Sequence, residues 1–295
     1  MPLPTQDTRV TYPAGELMQR AVVLHVAGVG DDRLAVVTDV TSFHPVDAAW
    51  PDQPADSGTI AVRGVELPVV DAVVAATDGT TLHLGADIPV RKGTEGWAFV
   101  VAHLVDAPAA GDAAIAEGDD VVITADATAR RALSLGHTAC HAASLALNAA
   151  LEGHWSKAAR TDALGRPDFD GIAIASSRIE PRASVDRYRL NKSLRRAGFD
   201  VASLLDADLD ALAQAVSATI AEWIAAGTPV RIDRPGEGLT DRRTWVAELP
   251  DGTAEIPCGG THVGSLGELV EARVEFDLGD DDGTPVLEMR TRVTG

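Results

Sequence analysis

Cysteine is almost absent: Cys140 and Cys258 are the only two in a chain of 295 residues. That excludes a disulfide scaffold, so a buried core must hold the fold, and reduced thiols are the expected state. Aromatic residues are equally scarce, 4% of the sequence against 45% hydrophobic residues in all. Packing therefore relies on Ala, Val and Leu, in a composition typical of globular rather than disordered chains. Positive charge is also in short supply, with 25 Lys and Arg against 44 Asp and Glu and a net charge of −19. This balance opposes nonspecific adhesion to nucleic acid or anionic membrane, so a nucleic-acid partner would need a local basic patch. No run approaches the roughly 18 apolar residues of a membrane span, and MPLPTQDTRVTYPAGEL lacks the basic and apolar regions of a secretion signal. The expectation is a cytoplasmic protein with no membrane partner.

What is present changes character along the chain. Residues 16–125 contain short Val-rich runs such as AVVLHVAGV, LAVVTDV and WAFVVAHLV, punctuated by Gly, Pro and Asp. These read as the strands of a β-rich domain. From Thr128, ATARRALSLGHTACHAASLALNAALEG is rich in Ala and Leu and free of Pro, which predicts a helix ending near Gly153. IAIASSRIEP follows as a predicted strand and SVDRYRLNKSLRRAG as a predicted helix from about Ser184. Leu209, Leu212, Val216, Ile220 and Ile224 recur at near-helical spacing, and several further strands complete a mixed α/β half. The length favours two domains, with the change of composition placing them at 1–125 and 126–295.

Two short windows hold soft ligand atoms. His137 and His141 are four apart on the predicted helix and can present both imidazoles to one ion; Cys258 and His262, in CGGTH, have the same spacing. Zinc accepts imidazole nitrogen and thiolate sulfur, usually from four ligands, which makes Zn the expected cofactor. Gly259 and Gly260 would permit the backbone angles that turn both side chains of CGGTH to one point. The window HTACH lacks the Glu of a metalloprotease HExxH, and local chemistry does not choose between a structural and a catalytic ion. No separate general base is identifiable. Of the other histidines, His25, His83, His103 and His154 stand isolated and read as structural.

HTACH at 137–141, IPCGGTHV at 256–263, the lead-in VVITADATARRALSLG and the loop FHPVDAAWPDQPADSGTI at 43–60 together resemble the freestanding alanyl-tRNA editing proteins of the AlaX type. These are related to the editing domains of alanyl- and threonyl-tRNA synthetases. The resemblance implies an α+β fold in which a small β-barrel-like domain precedes an α/β editing domain with a zinc site. His137, His141, Cys258 and His262 match the family's metal residues. It further implies hydrolysis of the ester that joins a wrong amino acid, serine or glycine, to the 3′ end of tRNA for alanine. Gln53, Thr138, Cys140, Gly259, Gly260 and Thr261 fall at substrate-binding positions.

Two departures from the family pattern stand out. The glycine-rich loop has become DAAWPDQP, in which Trp50 could stack on the terminal adenine, since such stacking contributes about 1–3 kcal/mol. Cys140 stands where the family often has Thr or Gln, and a thiol is the weaker hydrogen-bond partner. The one clearly basic block, RIEPRASVDRYRLNKSLRR, offers Arg187, Arg189, Lys192, Arg195 and Arg196 to tRNA phosphates. Two alternatives remain: a metal-dependent hydrolase of a small non-tRNA ester or amide, and a non-catalytic zinc-stabilised RNA-binding module.

Overall fold

The structure is a computed structural model that describes residues 2–107 and 115–295. It is α+β, with sheet predominating over helix, and no helix among the described residues is long and apolar enough to cross a membrane. The chain forms two compact units, each assembled from separate stretches. The first comprises Met1–Arg130, Arg234–Arg243 and Gly259–Thr261; the second comprises Arg131–Asp233, Thr244–Cys258 and His262–Gly295.

The described residues of the first unit form the strands β1 (Arg9–Val10), β2 (Met18–Val29), β3 (Arg33–Thr38), β4 (Val40–Thr41), β5 (Gly58–Val62), β6 (Val65–Thr77), β7 (Leu82–Leu84), β8 (Ala98–Asp106) and β9 (Asp120–Ala125). Strands β1 and β4 form a short parallel pair. The others form one sheet in the order β5-β9-β2-β3-β8-β6-β7, and β5 also pairs with β6, which closes all but β7 into a ring. Every residue from Ala98 to Val105 is buried, as expected of a strand written as one unbroken apolar run. One cluster containing Val23, Val36, Ile60, Phe99, Val101 and Ile123 fills one side of the sheet. Ala35, Val37, Ala75, Val100 and Ala102 form a smaller cluster on the other.

Several buried polar groups inside this unit are matched with one another, although His44 Nδ1 and Arg243 Nε have no hydrogen-bond partner among the described residues. Arg130 and Asp56 are both buried and pair through two guanidinium nitrogens, and Arg130 also donates to Ser42 O at 2.7 Å. His103 Nδ1 lies 3.0 Å from Val36 O, an acceptor, so this nitrogen carries the proton. Its Nε2 therefore accepts from the Thr41 hydroxyl at 2.8 Å, and that hydroxyl in turn accepts from Phe43 N–H at 3.0 Å. Burial lowers the pKa of His103 to about 4, and burial likewise lowers that of His44 to about 4.

The second unit is built on α1 (Ala127–Ala150), whose residues from Arg131 onward belong to it. Four shorter helices follow: α2 (Phe169–Ala173), α3 (Lys192–Ala197), α4 (Val201–Leu205) and α5 (Leu209–Ala225). Strands β10 (Ile174–Glu180), β11 (Ala183–Arg189), β15 (Glu271–Asp281) and β16 (Thr284–Thr294) form an antiparallel sheet in the order β10-β11-β16-β15. Strands β12 (Val230–Asp233), β13 (Thr244–Leu249) and β14 (Gly252–Pro257) form a second antiparallel sheet. α1, α5 and both sheets contribute to one core that includes Leu135, Leu147, Tyr188, Ile220, Trp245 and Leu287.

From Leu133 to Asn148, His141 is the one residue of α1 that is not fully buried. The close seating of the helix depends on Gly136. A Cβ there would stand 2.4 Å from Glu180 O and 2.5 Å from Ala183 O, both backbone atoms of the β10–β11 turn.

One expectation fails. The helix expected from about Ser184 is a strand as far as Arg189, and helix begins only at Lys192. The reason is burial with period two: Asp186, Tyr188 and Leu190 are buried while Arg187 and Arg189 point to solvent. Asn191 then caps α3, accepting from Ser193 and Leu194 N–H, and Gly198 closes it with φ of 108°.

Two outcomes are expected in denaturant unfolding. Gly136→Ala should cost about 1–3 kcal/mol or more by overpacking against rigid backbone, whereas Gly259→Ala, with nothing within 4 Å of the added carbon, should leave the midpoint unchanged. The unfolded chain takes up protons on His44 and His103 near pH 6.5, while the folded protein resists to about pH 4. Their contribution to stability is therefore complete above pH 6.5 and falls as pH drops toward 4, by roughly 1.4 kcal/mol per pH unit for each histidine. His103→Gln should flatten that slope.

Candidate metal centre

The helical repeat puts His137 and His141 on one face of α1 and their ring centroids 5.0 Å apart. Cys258 leaves the end of β14, and four residues later the chain returns with His262. The His262 ring centroid is 4.4 Å from that of His137 and 5.1 Å from that of His141. Cys258 Sγ lies 3.4 Å from His137 Nε2 and 3.3 Å from His262 Nε2. All four donor atoms fall within 4.8 Å of one another, a set that could hold a metal ion.

The donor set fits such an ion. Tetrahedral ligands at roughly 2.0–2.3 Å from zinc stand about 3.3–3.7 Å from each other, the range of both sulfur–nitrogen separations. His141 supplies a second observation, because its Nε2 is buried and has no hydrogen-bond partner. A buried nitrogen without a partner is costly, and a metal ion is one way to satisfy it. Burial also lowers the His141 pKa to about 4, which keeps the ring neutral as a ligand must be.

The remaining residues expected at the site separate into groups. Thr138 is fully buried and its Oγ1 lies 3.2 Å from His262 Nδ1 and 3.2 Å from Val263 N. Cys140 lies outside the four-donor cluster: its Sγ is 3.4 Å from Asp186 Oδ1 and 3.7 Å from Ser177 Oγ. Burial first, then the charge of Asp186, pushes its thiol pKa well above the ordinary value.

In the first unit, Gln53 is buried and both ends of its amide engage Thr261. Nε2 donates to Thr261 Oγ1 and Oε1 accepts from Thr261 N–H, each at 3.0 Å. Gly260 is buried and Gly259 exposed, and neither takes a positive φ. Trp50 is 47% exposed in a turn where its backbone N–H donates to Asp47 O.

The basic block does not present one face. Arg187 and Arg189 project from β11 into a cleft of about 440 Å³ shared with Ser176, Asn191 and Asp281. There Arg189 pairs with Asp281 at 2.8 Å, and Arg187 is 3.8 Å from Glu288. Lys192, Arg195 and Arg196, on α3, have no ion pair among the described residues.

Sequence reasoning missed the side chains around Cys140 and the metal donors. Asp186 is buried and accepts from Ser177 Oγ at 2.5 Å and Ser184 Oγ at 3.0 Å. Asp170, a neighbour in charge, accepts from Tyr188 at 3.0 Å, and burial and then Asp186 raise its pKa to about 7. Trp245, fully buried on β13, lies 5.1 Å from the His141 ring, with its indole N–H unpartnered. The alternation in SVDRYRL was the available signal for Asp186; nothing local in RTWVAEL singled out Trp245.

The two thiols should differ in reactivity. In metal-free protein iodoacetamide is expected to modify Cys258 and spare buried Cys140, and added Zn²⁺ should protect Cys258; peptide mass mapping reads both outcomes.

No family model matches the sequence. Over 262 residues the chain is 26% identical to the alanine-tRNA ligase of Gluconobacter oxydans (strain 621H), covering 89% of this chain and 25% of the ligase. Over 268 residues it is 28% identical to the alanine-tRNA ligase of Ruegeria pomeroyi (strain ATCC 700808 / DSM 15171 / DSS-3), covering 88% of this chain and 26% of the ligase. The chain thus spans about a quarter of the length of the curated relatives it matches, and its similarity to them suggests an editing domain related to that of alanine-tRNA ligase.

Proposed function

We propose that the chain is a zinc-dependent hydrolase that deacylates mischarged tRNA for alanine, removing serine or glycine in trans. The observation that carries this reading is the convergence of His137, His141, Cys258 and His262 on one point. Similarity to alanine-tRNA ligases over nearly the whole chain directs that donor set toward an aminoacyl ester rather than a peptide or a sugar. An ion held there would supply electrostatic activation of the ester carbonyl or of the attacking water.

The residues of the chain supply the remainder. Fully buried Trp245 packs beside the His141 ring, 5.1 Å between centroids, and backs the donor cluster on its core side. Partly exposed His141 is the one break in the buried stretch of α1, which gives an ester a way in. Lys192, Arg195 and Arg196, without carboxylate partners among the described residues, are the cations best placed to take tRNA phosphates. Arg187 and Arg189 must first release Glu288 and Asp281.

The test is single-turnover deacylation of Ser-, Gly- and Ala-charged tRNA for alanine by zinc-loaded protein, beside His141→Ala with its fold checked by circular dichroism. Release of Ser or Gly by the wild type alone is the expected result, abolished by a chelator. No release with zinc bound would defeat the proposal, and turnover of a simple aminoacyl ester alone would favour a small-ester hydrolase. Replacing Lys192, Arg195 and Arg196 by Ala should reduce the slope of log affinity for tRNA against log salt by about 0.7–0.9 for each phosphate that the variant no longer neutralises.

A further inference from the structure

Thr138 sits one residue beyond His137 and about 100° around α1 from it, so it does not share the ligand face. Its hydroxyl oxygen nevertheless reaches His262 Nδ1 and the Val263 amide, both at 3.2 Å. An amide N–H can only donate, so Thr138 Oγ1 accepts from Val263. A hydroxyl oxygen has two lone pairs, and the second is available to an Nδ1–H of His262.

The direction of that bond and the tautomer go together: with Nε2 bound to an ion, the imidazole proton is on Nδ1 and Thr138 Oγ1 accepts it. A neutral imidazole carries one proton, so a ring that donates through Nδ1 presents a bare lone pair at Nε2. Nε2 is the atom of His262 that lies 3.3 Å from Cys258 Sγ, inside the cluster of donor atoms. Thr138 therefore acts on both ends of the problem: as acceptor it stabilises the tautomer that ligates through Nε2, and through Val263 it ties the backbone immediately after His262 to the helix that bears His137 and His141.

We infer that Thr138 is a positioning residue for the metal centre, holding His262 in the ligating tautomer and fixing its loop to α1, and does not touch substrate. The inference rests on the four-donor set holding a metal ion. Against a substrate role, the side chain is fully buried and its oxygen already has two partners within the protein. The position calls for a side chain small enough for a buried helix, with an oxygen acceptor; valine has threonine's shape without the acceptor.

The experiment compares the wild type with Thr138→Val and Thr138→Ser, using Co²⁺ and Zn²⁺ as probes. Chelator competition gives the affinity, the visible spectrum of the Co²⁺ form reports coordination geometry and thiolate ligation, and thermal melting of the metal-free proteins reports the fold. Thr138→Val is expected to bind about 10–100-fold more weakly, the usual effect of removing a residue that orients a ligand, with an altered Co²⁺ spectrum. Thr138→Ser should restore both. Should the valine variant not fold without metal, Thr138→Ala, which adds no bulk, is read in its place.

Wild-type affinity and spectrum in the folded valine variant would overturn the inference, and failure of ester cleavage in that same variant would place Thr138 against the substrate. A wild type that binds neither ion overturns the metal reading itself. Metal binding without deacylation of any charged tRNA overturns the proposed activity, while weakened binding by the valine variant would still support the positioning role.

Discussion

The backbone of α1 approaches the β10–β11 turn so closely that residue 136 can carry no side chain. The carbonyl oxygens of Glu180 and Ala183 occupy the space a Cβ would need. That close approach sets the depth at which the next residue, His137, enters the core, and the helical repeat then places His141 one turn further along. Helix propensity does not account for this glycine, which costs about 1 kcal/mol relative to Ala in a helix interior. Close packing does.

Chemistry at the centre depends on burial as much as on ligand type. Three imidazoles within 4.8 Å of each other and of a thiol would repel one another if protonated. Burial keeps His141 neutral and leaves its Nε2 without a partner, so the protein bears a desolvation cost that an ion could offset. Cys140 shows the opposite use of a thiol. One residue from a ligand but on another side of the helix, it packs with Leu133 and Ile179 against the carboxylate of Asp186 and stays protonated. Residue type alone does not separate the two cysteines; helical position does.

Strands written as Val-rich runs and the helix through HTACH were legible because their burial is one-sided or complete over many residues. The segment 184–198 was not. Its Arg, Lys and Leu residues favour helix individually, but Val185 to Arg189 lies in a sheet between β10 and β16, where pairing on both sides overrides propensity. That change also redistributes the basic block, since alternate residues of a strand face opposite ways and two of its arginines then meet Glu288 on the neighbouring β16 and Asp281 at the end of β15.

The sequence by itself determined the four candidate donors, because two pairs at four-residue spacing carry their geometry with them: one by the pitch of a helix, one by a short turn. It also marked the Val-rich runs of the first half as strands and the stretch through HTACH as a helix. Tertiary structure alone decided that the two pairs, far apart along the chain, converge, that Thr138 turns inward to His262, and that Trp245 stands against His141. Those relations join helix, loop and sheet across long chain separations, and no local spacing encodes a contact whose partners are brought together only by packing.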